Sequence, residues 1–154
     1  MTAYQKITTA IKAGLVAALL DISGAIIVFT FILKLSTPVK ILQSVAAGAF
    51  GKEAYDGGWK MALAGLGFHA FIALSFAFFY MLIYPAYKKI ISNPVVAGII
   101  YGCFVWTVMN VGILKMILGK TISTKYILPN LIVLIIMVGI PIALITDRSF
   151  RKQG

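Results

Sequence analysis

Asp21 and His69 are the two residues whose chemistry fits their surroundings least, because each stands inside a long apolar stretch. An unpaired carboxylate at the centre of a bilayer costs about 3 kcal/mol or more, so Asp21 must be neutral, paired or wet. Gly14, Ala17, Ala18, Gly24 and Ala25 share its helical face, and small-residue faces are where membrane helices approach closely. Asp21 is thus expected to point into a bundle. There it is either a hydrogen-bonded pin between helices or a proton or cation site.

His69 repeats the pattern. Ala62, Gly65, Ala73 and Ala77 lie on its side, with Tyr80 farther along, whereas Phe68, Phe71, Phe78 and Phe79 form an opposite face suited to lipid. With the two helices aligned at their centres, a 1.5 Å rise per residue leaves Asp21 and His69 at similar depth, which allows an Asp–His pair. A neutral histidine bonded to a hydroxyl or carbonyl is the simpler alternative.

Three further side chains could bind a polar group: Thr107, Asn110 and Asn130. Gly98, Gly102, Trp106 and Asn110 recur every four residues, a G-x-x-x-G packing stripe that ends in an aromatic ring and an amide. Asn110 can be glue between helices or a reader of a ligand, and Thr107 can instead bond its own backbone.

The elements that must position these residues are membrane spans. A spanning helix needs about 20 mostly apolar residues. Four segments qualify, at about 11–33, 59–84, 95–114 and 127–145. Their ends carry the expected interface markers: Lys12 and Lys34, Trp59 and Lys60, Tyr84-Pro85, Asn93-Pro94, Lys115, Lys125-Tyr126 and Arg148. Pro129 is expected in the first turn of the last helix, and Pro141 is expected to kink it near Gly139. The basic N-terminal stretch resembles a signal peptide, but its apolar run is long and no A-x-A site follows, so it is read as an uncleaved first helix.

Between the first two spans, "TPVKILQSVAAGAFGKEAYDGG" is too short and polar to cross. An amphipathic helix is expected over about 38–52, with Val39, Leu42, Val45, Ala46, Ala49 and Phe50 on one face and Lys40, Gln43, Ser44, Gly48 and Gly51 on the other. It would lie in the interface or re-enter the bundle. The expected fold is therefore all-α: an integral membrane four-helix bundle, one domain over residues 1–154, with this extra helix between helices one and two. Because helices three and four are antiparallel, His69, Thr107, Asn110 and Asn130 fall in the membrane half that faces the first and third loops, near Gln43 and Ser44. A polar pocket capped by the amphipathic helix follows from that placement.

Composition narrows the function classes. Of 154 residues, 61% are hydrophobic and 12% charged, which excludes an ordinary soluble domain. The net charge of +10 comes from Lys and Arg at the ends of apolar runs, so the basic residues meet lipid headgroups and not nucleic acid. Lys and Arg divide seven and seven between the two sides, and the dense Lys88-Lys89 loop and basic tail tilt the reading toward both termini cytoplasmic. Cys103 is the single cysteine and is expected to be a buried packing residue. One histidine, one cysteine and four acids give no complete zinc site, and a bis-histidine haem would need a dimer, so no metal or cofactor is expected.

In their order, "ILQSVAAGAFG", "LGFHAFIALSFAFFY", "GIIYG" with "MN", and "VGIPIAL" resemble small, uncharacterised bacterial inner-membrane proteins of the YagU-like kind. That resemblance implies a multi-pass protein of a bacterial plasma membrane, places Gln43, His69 and Asn110 in the recurring pattern, and brings no mechanism.

No G-x-S-x-G, H-E-x-x-H, Walker loop or usefully spaced carboxylate pair occurs, so an enzyme is not expected. The leading reading is an intramembrane polar cavity, built from Asp21, His69, Asn110, Thr107, Asn130 and Gln43, that binds, senses or passes a small solute, proton or lipid headgroup. The alternative is a noncatalytic assembly subunit whose polar residues only fix packing, with Gly14, Ala18, Gly65, Ala73, Gly98 and Gly102 at helix contacts and a second copy or another membrane protein as partner. A dimeric proton-coupled transporter is the third reading, with Asp21 as its coupling group.

Overall fold

A computed structural model describes residues 1–117, 119, 121 and 123–152. All regular structure among the described residues is helical. Helix α1 (Ala3–Ile26) continues through a π-helical stretch, Ile27–Ile32. It starts earlier than the apolar run because Thr2 and Gln5 form a reciprocal capping box that satisfies the first backbone donors. Helix α2 (Pro38–Phe50) opens at Thr37, whose hydroxyl accepts from the Lys40 N–H, with Pro38 in the first turn. It ends at Gly51, whose φ of 73° reverses the chain.

Helix α3 (Gly58–Ile90) does not stop at Tyr84-Pro85 as expected but carries Pro85 inside it. The proline removes one ladder bond. Side chains beyond it hold the last turns in place: Tyr87 donates to the Ala97 carbonyl at 3.1 Å and Lys88 to the Ser92 carbonyl at 2.8 Å. Helix α4 (Pro94–Thr107) is capped by Asn93, whose side chain accepts from Val95 and Val96, and continues as a π-helix over Val108–Ile117. Helix α5 (Thr124–Leu134), a π-helical stretch (Ile135–Gly139) and helix α6 (Ile140–Arg151) form one continuous rod. Since this rod begins at Thr124, Pro129 lies beyond the first turn. The widened turns sit directly before Pro141, where they make room for a ring that would otherwise crowd the preceding turn.

Four of these helical stretches are long and apolar enough to cross a membrane: Ala3–Ile32, Gly58–Ile90, Pro94–Ile113 and Thr124–Arg151. They are apolar outside as well as inside. Leu19, Phe71 and Leu82 are 67%, 68% and 78% exposed, which suits surroundings of hydrocarbon and not water. Cys103 also faces outward, not into the core, because Gly98 and Gly102 take the packing side of α4.

The interior is built from small residues. Ala10, Ala13 and Ala17 of α1, Ala73 and Ala77 of α3, and Ala97 of α4 are buried, with Tyr80, Tyr101, Val105 and Ile142 filling the space between them. α1 lies against α3 and α6, α2 lies on α3, and α4 lies on the α5–α6 rod. Gly98 and Gly102 meet the rod at Gly139, Ile140 and Ile135 so closely that any Cβ would collide with backbone. Gly14 meets Leu74 and Ala77 in the same way. Dispersion gained at such short range is the main attraction available between helices in lipid.

Candidate functional site: a cavity between the helices and α2

A cavity of about 660 Å³ lies between α1, α3, α5, the π-helical end of α4, and α2. Asp21, His69, Asn110 and Asn130 line it, as do Lys40 and Ser44 of α2. Most of the remaining wall is apolar, including Ile22, Phe29, Phe68, Ile72 and Leu134. Phe68 is therefore a wall residue in edge contact with Phe50, not a purely lipid-facing one as its sequence position suggests.

Asp21 and His69 meet from facing helices, with His69 Nε2 3.7 Å from Asp21 Oδ2. The same nitrogen lies 3.0 Å from the Ala18 carbonyl oxygen. A carbonyl can only accept, so Nε2 carries a proton and donates it there. That bond joins α3 to α1 one turn from Asp21. The stripe of small residues makes it reachable, since Ala18 and Ala73 are buried and place no bulk between the two backbones.

Asn110 and Asn130 form a second tie. The Asn110 amide nitrogen donates to the Trp106 carbonyl at 3.0 Å and to Asn130 Oδ1 at 3.2 Å. The Gly98–Gly102–Trp106–Asn110 stripe thus faces the α5–α6 rod, with two glycines closing one end and an amide bond the other. Because both donor protons of Asn110 are committed, the group of Asn110 without a partner among the described residues is Oδ1, an acceptor, while the Asn130 amide nitrogen is a donor.

Two residues grouped with these from sequence lie elsewhere. Thr107 donates to the Cys103 carbonyl at 2.9 Å and is exposed away from the cavity. Gln43 is buried and donates to the Gly58 carbonyl at 3.1 Å, so it anchors the beginning of α3. With it, the expected faces of α2 are rotated: Gln43, Ala46 and Ala47 are buried, whereas Ala49 and Phe50 are exposed. The physical cause is Gly65. Its missing side chain lets the Leu42 carbonyl settle onto α3, and only small neighbours fit beside so close an approach. Ser44, Gly48 and Ala49 consequently turn toward the cavity.

Some site residues were not singled out from sequence. Tyr126 lines the cavity, donates to the Leu35 carbonyl at 3.3 Å and leans on the Phe29 ring at 5.4 Å, which closes the wall between α1 and α5. Lys40 and Tyr55 bring further polar groups to the cavity from the segment between α1 and α3. A second cluster was missed at the opposite end of the helices. Asp147, 3% exposed, receives hydrogen bonds from Tyr84 at 2.8 Å and Lys88 at 2.6 Å on Oδ1, and Arg151 reaches Oδ2 at 2.6 Å. The Asp147–Arg151 spacing of four was its sequence signal. Ending the last span at Ile145 hid it among surface charges.

Comparison with known protein families, curated proteins and solved structures gives no match, so the chain's own geometry carries the functional reading.

Proposed function

We propose that this chain is a noncatalytic multi-pass protein of a bacterial plasma membrane, of the YagU-like kind, whose cavity binds, senses or passes a small solute, proton or lipid headgroup. In this reading α2 is an interfacial lid over a four-helix bundle, and both termini are cytoplasmic. The carrying observation is that Asp21, His69, Asn110 and Asn130, one from each of the four spans, line one volume of about 660 Å³. That size lies within the range of small-molecule pockets, about 300–1,000 Å³, and a few convergent polar groups in a mostly apolar wall are their usual composition.

One observation favours the assembly-subunit alternative. The Asn110–Asn130 and His69–Ala18 hydrogen bonds already tie helices together, so part of the polar set does structural work without a ligand.

A cavity-filling substitution separates the two. Ala25 lines the cavity from α1, and Ala25→Trp would occupy it while leaving both ties intact. Protein taken from membranes with its native lipids and weighed by native mass spectrometry should carry a bound small molecule at about one per chain, lost in Ala25→Trp at unchanged helical content. The same bound species in wild type and variant, or none in either, would remove the cavity reading.

A further inference from the structure

We infer that the cavity takes a monovalent organic cation, an ammonium group on an apolar or aromatic body, with Asp21 as its counter-ion. This rests on the reading of the cavity as a binding site and adds the chemical class of its occupant.

The charge balance of the wall carries the argument. Asp21 is the one acidic residue lining the cavity among the described residues, and the basic side chain nearest to it is His69. The Nε2 proton of His69 is committed to the Ala18 carbonyl, and 3.7 Å to Asp21 is too long for a hydrogen bond. Asp21 thus has no hydrogen-bonded partner among the described residues, and a bound cation would supply the pairing that a carboxylate at this depth requires.

The rest of the wall favours a cation with an apolar body. Asn110 Oδ1, which accepts no hydrogen bond among the described residues, adds a second oxygen for an ammonium N–H, because the Asn110 donors are spent on Trp106 and Asn130. Phe29 and Phe68 line the same space, and aromatic rings attract cations through their quadrupole. An anion would meet Asp21 and the Asn110 oxygen in surroundings where such repulsion is weakly screened.

Lys40 is the opposing group. It is exposed on α2 and makes no ion pair with Asp21, so its flexible stem can carry the charge away from a bound cation. Its presence disfavours a dication, which is why one positive charge is inferred. The bound cation can come from a free amine or from an amine-bearing lipid headgroup, as the two share this chemistry.

The test is calorimetric titration of the wild-type chain in nanodiscs of phosphatidylglycerol, which carries no ammonium group, with empty nanodiscs subtracted. The probes are benzylammonium and, as a similar-sized anion, benzenesulfonate. The cation should bind saturably and at least tenfold more tightly than the anion. Asp21→Asn should weaken it by about tenfold or more, Asp21→Glu should restore most of the loss, and Lys40→Ala should tighten it. Repeating the titration in nanodiscs containing phosphatidylethanolamine distinguishes the sources: competition points to the lipid amine, and unchanged affinity to a free one. Equal or tighter binding of the anion, no cation binding by wild type, or wild-type affinity in a folded Asp21→Asn would overturn the inference. The cation-against-anion comparison needs no variant, so misfolding of Asp21→Asn does not rescue it. If Ala25→Trp strips a bound species from the chain while the cation fails to bind wild type, the class is wrong and the cavity reading stands.

Discussion

Tyr84 shows what a single hydrogen bond does in this protein, because its ring is buried against Tyr80 and Phe150 while its hydroxyl ends on Asp147. Removing Asp147 orphans that hydroxyl, and an unsatisfied buried donor costs about 1–3 kcal/mol. Lys88 and Arg151 are more exposed than the carboxylate they flank, and water compensates them more readily for its loss. Asp147→Ala should therefore lower thermal stability by about 1–3 kcal/mol, and Tyr84→Phe added to it should cost less than the two single changes summed. A double-mutant cycle measured by thermal melting in detergent checks this; strict additivity would mean that the pair is not coupled. The same reasoning explains which residue roles were legible in the sequence. Asp21 and His69 stand out because a polar side chain in an apolar run is expensive wherever it sits. Asp147 did not stand out, since four residues from Arg151 at a helix end it looks like an ordinary surface pair, and only the α3–α6 contact buries it.

At the scale of elements, the attachment of α2 depends on Gly65. A side chain there would meet the Leu42 carbonyl and the Ala46 nitrogen, backbone atoms that cannot swing aside. Gly67, two residues on, has open space around it and so controls for the helix propensity of the change. Gly65→Val should release α2 and speed tryptic cleavage after Lys40 on the order of tenfold relative to Gly67→Val, equivalent to about 1.4 kcal/mol in the opening equilibrium. Equal cleavage rates in the two variants would show that Gly65 does not hold α2. The presence of a short helix over this segment was readable from Pro38 and the periodicity. Its buried face was not, because periodicity weighs how apolar a residue is, whereas contact at Gly65 selects how small it is. The four long spans were read nearly whole. Their ends were misjudged where Thr2, Lys88 and Arg151 extend helices beyond the apolar runs by capping and ion pairing.

For the whole molecule, two regions of different character share one set of helices. One end is closed by Tyr80, Tyr84, Tyr101, Ile142 and the Asp147 cluster, with ring centroids of Tyr80 and Tyr101 4.6 Å apart. The other end holds the cavity, with α2 laid against it. If the cavity takes a solute as proposed, this arrangement predicts entry from the α2 end. Ala25 and Ala17 lie two turns apart on α1, the first lining the cavity and the second fully buried in the core. In a Cys103→Ser background, each is replaced by cysteine and exposed to a water-soluble cationic methanethiosulfonate in sealed vesicles. Ala25→Cys should be modified, and from one face of the membrane only, while Ala17→Cys remains unmodified. An Ala25→Cys as inert as Ala17→Cys would contradict a solute-accessible cavity at this site.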